Sequence, residues 1–159
     1  MNSKKEMRQM RDEEFMSTFR KTLRLFIDRN SKNPRKKALE FTLNNSHPRY
    51  YVSRSRAYTV ICSIIRHGRN PVRQELQAQM WEEIAQKVRL ALDGGAASIN
   101  KALNFVLDNC RASRYFISYP YAERHAYVVA DENRERLKRR FTMRNPVAPD
   151  WQPEMHPRD

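Results

Sequence analysis

The feature that most constrains this chain is that it repeats itself. Lys37-Ala38-Leu39-x-Phe41-x-Leu43-x-Asn45 returns 64 positions later as Lys101-Ala102-Leu103-x-Phe105-x-Leu107-x-Asn109. Arg49-Tyr50-Tyr51-Val52-Ser53 returns 65 positions later as Arg114-Tyr115-Phe116-Ile117-Ser118, and Ala57 answers Ala122. Upstream, the 65 offset pairs Phe15 with Met80, Phe19 with Ile84, Leu23 with Val88, Arg24 with Arg89, Leu25 with Leu90 and Asp28 with Asp93. There are 13 identities over about 51 aligned positions, against about 3 at background residue frequencies. The sequence therefore reads as a tandem duplication with units at roughly 15–65 and 80–130, and the architecture has to be derived with that in mind.

Each unit reads as three helices and a short extended piece. Phe15, Phe19, Leu23, Phe26 and Ile27 form a helical stripe that predicts a helix over 12–29. Its copy is expected over 71–92, with Asn70-Pro71 as N-cap and first position and Val72, Leu76, Met80, Ile84, Val88 and Leu92 along one face. Second helices follow at 34–45 and 98–109, opened by Pro34 and Ser98. The aromatic connectors Tyr50-Tyr51-Val52 and Tyr115-Phe116-Ile117 are extended by propensity and too short for a sheet. Ser53 and Ser118 then cap third helices. The first stops near His67-Gly68, and the second runs on through Phe141 because nothing breaks it before Asn145-Pro146. The expected fold is mostly α: a basic three-helix unit at 1–70, a near-neutral one at 71–143 with a basic C-terminal helix, and a flexible Pro-rich tail at 144–159.

At 159 residues with 40% hydrophobic composition the chain can build a packed core. No stretch has the apolar length of an export signal or a membrane span, so the expectation is a cytoplasmic protein. Cys62 and Cys110 each sit among apolar neighbours in helical patterns and read as small buried thiols. The net charge of +13 favours a polyanionic partner, with nucleic acid ahead of a membrane surface. Its distribution says more. Residues 15–70 carry 13 Lys/Arg and 2 Asp/Glu, whereas 71–132 carry 7 and 8. The two units thus share an ancestry and differ in electrostatics, which implies a division of labour.

The candidate nucleic-acid contacts follow from that asymmetry. Arg35, Lys36 and Lys37 open the second helix, and Arg49, Arg54 and Arg56 flank the start of the third. Cations at a helix N-terminus oppose the macrodipole by roughly 0.3–1 kcal/mol each, a cost that a bound phosphate offsets. Ser55, Thr59 and Arg66 share the polar face of the third helix, and Arg136, Arg139 and Arg140 add a basic strip near the C-terminus. This order of helices resembles the helix-turn-helix in architecture, which implies a third helix that presents its N-terminal residues to a groove. The segment from Asn45 to Ser53 exceeds the usual short turn, so backbone contact is expected ahead of base readout.

In the second unit Tyr119 and Tyr121 replace Arg54 and Arg56, which fits a protein interface better than a phosphate site. The pairs Tyr50/Tyr51 and Tyr115/Phe116 suit stacking on unpaired bases, but their recurrence in the near-neutral unit favours a packing role. The four histidines and two cysteines lack metal-ligand spacing, and no glycine-rich phosphate loop or nucleophile elbow is present. No cofactor and no catalytic residue is expected. The sequence thus predicts a non-enzymatic, regulator- or nucleoid-type protein binding duplex DNA electrostatically. The alternatives are a protein-interaction subunit of a viral or ribonucleoprotein assembly, and an RNA or single-strand binder using the connector aromatics. It leaves oligomeric state open.

Overall fold

The computed structural model describes residues 3–144. They form six helices and no strand: α1 (Lys4–Asp28), α2 (Pro34–Asn45), α3 (Arg54–His67), α4 (Glu75–Asp93), α5 (Ile99–Asn109) and α6 (Tyr119–Arg144). The chain divides into two compact units, residues 1–123 and 124–159, with α6 running from the first into the second. The tail expected at 144–159 lies, beyond Arg144, outside the described residues.

Helices α2, α3 and α5 stand where the pattern places them. Pro34 occupies the first turn of α2, and Ser98 Oγ accepts the Lys101 N–H at 3.2 Å to cap α5. Ser53 and Ser118 play matching parts, accepting the N–H of Arg56 at 3.4 Å and of Tyr121 at 3.3 Å. Gly68 ends α3 at φ +64, a left-handed conformation that glycine adopts without a steric penalty. Helix α6 continues through Arg140 as its unbroken pattern predicts.

Two helix starts differ from the pattern. Helix α1 begins at Lys4 and not near residue 12. The cause is a capping box: Ser3 N–H donates to the Glu6 carboxylate at 2.7 Å while Glu6 N–H donates to Ser3 Oγ at 3.2 Å. Helix α4 begins at Glu75 and not at Pro71. Asn70 does not cap it. Its side chain accepts from Val72 N–H at 3.0 Å, an Asx turn over 70–72, and donates to the Ala78 carbonyl at 3.2 Å, and Gln74 becomes the N-cap.

Helix α1 packs on α2, α4 packs on α5, and α3 lies against both α4 and α5. Val60, Ile61, Ile84, Ala85, Val88, Ala102, Leu103 and Val106 are at most 1% exposed and form the centre of this α3–α4–α5 core. The aromatic connectors are non-helical, and backbone bonds tie the second one and the loop before it to α2 and to the residues ahead of the first. Ala112 N–H donates to the Pro48 carbonyl at 2.7 Å, and Tyr115 N–H to the Leu43 carbonyl at 3.0 Å. Tyr115 meets Phe15 edge-to-face and stacks on Tyr51, so this aromatic layer fastens the second connector to α1 and to the first connector.

Candidate nucleic-acid interface

The cations singled out by sequence fall into separate groups. Arg35, Lys36 and Lys37 are exposed on the first turn of α2, which contains no acidic residue and whose N-cap, Asn33, makes no side-chain capping bond. Around the start of α3 the structure gathers Arg49, Arg54 and Arg56. The first connector meets α1 at Glu14, which accepts from Tyr51 Oη and forms a 3.2 Å ion pair with Arg49. From Glu14 to Asp28, beside which α2 starts, is about 21 Å of helix. The α2 cluster and the α3 cluster therefore sit towards opposite ends of the α1–α2 hairpin.

Partners separate these side chains further. Arg49 is tied to Glu14. Arg54 pairs with Asp108 and donates to Asn104 Oδ1 at 2.6 Å, bridging α3 to α5. Arg56 is exposed and has no ion pair or side-chain hydrogen bond among the described residues. Ser55 and Thr59 are exposed, and the Thr59 hydroxyl is spent on the Ser55 carbonyl at 3.1 Å. Arg66 lies in the last turn of α3, where its charge complements the helix dipole. It stands about 18 Å along the axis from Arg54. Arg136, Arg139 and Arg140 are exposed on the part of α6 that belongs to the second compact unit.

The tyrosines are largely internal. Tyr50 and Tyr115 are 4% and 3% exposed, which removes both as open stacking platforms. Tyr50 Oη donates to Glu83 at 2.6 Å and receives a bond from Lys87 Nζ at 2.7 Å. Burial and the Glu83 carboxylate push the Tyr50 phenol above its ordinary value, and burial and the Glu14 carboxylate do the same to Tyr51. Burial also opposes ionisation of Glu83, but bonds from Ser113 and Tyr50 and the Lys87 charge outweigh it and hold the carboxyl below its ordinary value. Tyr119 and Tyr121 are half-buried. Tyr121 Oη donates to Asp12 at 2.8 Å, and the Arg11 guanidinium sits 5.3 Å from its ring centre.

Sequence reasoning missed Lys4, Arg8 and Arg11. They sit on the first three turns of α1, on the stripe that continues as Phe15, Phe19 and Thr22, all buried. The signal was available as the Ser3–Glu6 capping pair followed by a 4, 8, 11, 15, 19, 22 spacing. Zero net charge over 1–14 concealed it. On one side of Ser53, Lys4, Arg8, Arg11 and Arg56 line a cavity of about 560 Å³. On the other, Arg49, Arg54 and Arg111 line one of about 530 Å³ together with Asp108.

Among the described residues no cluster of His, Cys, Asp and Glu is placed to hold a metal ion, and no helix is long and apolar enough to cross a membrane. No protein-family model, curated protein or solved structure matches the chain.

Proposed function

We propose that the chain is a non-enzymatic nucleic-acid-binding protein that holds duplex DNA electrostatically through its first half. The observation that carries this reading is the set of cations left without a carboxylate. Lys4, Arg8, Lys36, Lys37 and Arg56 have no ion pair among the described residues, and all are exposed. Unpaired guanidinium and ammonium groups near helix N-termini are the elements that engage phosphate. On α3, the exposed Ser55, Arg56, Thr59 and Arg66 lie opposite the buried Ala57, Val60, Ile61 and Ile64, as a helix-turn-helix-like role requires.

The reading includes an ancestral doubling, with the repeat boundary near residue 70. It is supported by burial that follows the repeat: Phe15 and Met80, Phe19 and Ile84, Leu39 and Leu103, Tyr50 and Tyr115, and Ala57 and Ala122 are all buried. The cap bonds of Ser53 and Ser118 match as well.

A protein-contact role is the second reading, and one observation favours it. Leu25 and Leu90 are 55% and 65% exposed, and Phe41 and Phe105 are 46% and 57% exposed. These are repeat-related pairs, so each half keeps an apolar surface of the same origin.

A salt titration of binding to duplex DNA, single-stranded DNA and RNA of equal length tests the proposal. Duplex affinity should fall steeply with salt, and Arg54→Ala with Arg56→Ala should reduce the log–log slope by up to about 2, with Arg56 giving the larger share. Binding to none of the three at physiological salt would refute the proposal and leave the protein-contact reading.

A further inference from the structure

The 560 Å³ cavity on the α1 side of Ser53 has walls of unusual electrostatic composition. Lys4, Arg8, Arg11 and Arg56 line it, and no carboxylate does; the remaining polar wall is the hydroxyl of Ser53 and the amides of Gln74 and Gln77. Asp12 matches the charge of Arg11 at 3.0 Å. Lys4, Arg8 and Arg56 have no such match among the described residues, so three positive charges border one open concavity. Three helices also begin at its rim. Lys4 is the first residue of α1, Ser53 caps α3 and Gln74 caps α4. Helix N-termini add positive potential to that of the side chains. Gathering like charges around one concave surface is unfavourable unless an anion offsets it.

Size and wall chemistry narrow the anion. The volume falls within the roughly 300–1,000 Å³ of ordinary small-molecule sites and exceeds what a bare phosphate fills. Tyr51, Trp81, Val52 and Val72 supply an apolar and aromatic side, against which a planar ring can lie while its phosphate meets the guanidinium groups.

We propose that this cavity, walled by Lys4, Arg8, Arg56, Tyr51 and Trp81, binds a phosphate-bearing ligand of nucleotide size. The inference rests on the nucleic-acid reading above and deepens it: an unpaired nucleotide at a strand end and a free nucleotide offer the same chemistry. Arg8 and Arg56 hold the phosphate, Lys4 closes over it from the first turn of α1, and the ring packs towards Tyr51.

The chain has two tryptophans, Trp81 and Trp151. In a Trp151→Phe background the emission of Trp81 alone reports on the cavity. Adenosine 5′-monophosphate and a 5′-phosphorylated single-stranded DNA of about ten nucleotides are the probes, titrated to roughly millimolar concentration. Saturable change in Trp81 emission is expected with at least one. A response to the monophosphate assigns the source to free nucleotide; a response to the strand alone assigns it to nucleic acid. Arg8→Gln with Arg56→Gln should weaken the response by about tenfold or more, whereas the charge-matched Arg89→Gln with Lys101→Gln should leave it within about twofold. Lys4→Gln, on an exposed first turn, is a milder second variant and should weaken it in the same direction.

Silence of Trp81 with both probes overturns the proposal, as does equal weakening by the cavity and control variants. If Trp81 stays silent while duplex DNA still binds in the salt titration, the cavity assignment fails and the proposed function stands. Loss of both would fail the two together.

Discussion

The α1–α2 and α4–α5 hairpins bury corresponding residues and present different surfaces. Leu39 and Leu103 are each 1% exposed at matching positions, and Phe19 and Ile84, also matched, are buried at 4% and 0%. Outside these stripes the likeness ends. The first hairpin and α3 carry most of the positive charge, whereas on the second Glu83 and Lys87 balance each other and Asp108 neutralises Arg54 from across the core. Core pattern and surface charge answer to different constraints. Burial fixes the stripe because each apolar side chain removed from water contributes roughly 1.5–3 kcal/mol. Exposed charges contribute little to stability and are free to diverge. One scaffold can therefore hold a cationic face in one half and a near-neutral face in the other.

That comparison is broken most easily in the core. Leu39→Ala and Leu103→Ala should each cost about 2–5 kcal/mol, read from urea midpoints. Because both residues lie in the compact unit 1–123, each variant should show one transition displaced by a similar amount. A loss confined to one of the two would show that the halves do not carry equivalent cores.

A smaller effect sharpens the comparison at one position. Thr42 and Val106 occupy equivalent sites and both are fully buried, but the Thr42 hydroxyl has no hydrogen-bond partner among the described residues. A buried hydroxyl without a partner is destabilising, and valine has nearly the same shape. Thr42→Val, which gives the first half the residue of the second, should raise stability by about 1 kcal/mol in thermal or urea unfolding. Destabilisation would mean that the hydroxyl is hydrogen-bonded in solution.

The third difference is a pH response that belongs to the second half. Hydrogen bonds from Ser113 and Tyr50, with the Lys87 charge, hold the Glu83 carboxyl below its ordinary value, while Thr18 occupies the corresponding position in the first half. A carboxyl depressed in the folded state contributes stability at neutral pH that is lost as pH falls through the folded-state value. Glu83→Gln should therefore lower the melting temperature near pH 7 and flatten its fall towards about pH 3. Parallel melting curves for the two proteins across that range would contradict this account.

Much of the fold was legible because its determinants are local. The stripes and the Ser53, Ser98 and Ser118 caps act within one turn, and the recurring residue pattern lets one stretch of sequence check another. The misses have equally physical causes. Asn70 has a side chain that can cap a helix or fold a turn, and its reach to Ala78 decided for the turn. Residues 1–14 look like a neutral extension until the Ser3–Glu6 box starts a helix at Lys4 and brings three cations onto the stripe of Phe15. Pairing across distance was invisible. Arg54 meets Asp108 only because α3 packs on α5, so nothing local to residues 54–56 distinguishes the partly neutralised Arg54 from the unpaired Arg56.

The central claim is that the polyanion-binding surface belongs to the first half. The most direct measurement compares two charge-matched triple variants for affinity towards one DNA duplex at one ionic strength: Lys36→Gln/Lys37→Gln/Arg56→Gln in the first half and Arg73→Gln/Arg89→Gln/Lys101→Gln in the second. The first-half variant should bind at least about tenfold more weakly than the second-half variant, with a salt slope lower by up to about 3. Equal affinities and equal slopes would show that binding follows total charge and that the asymmetry between the halves has no part in it.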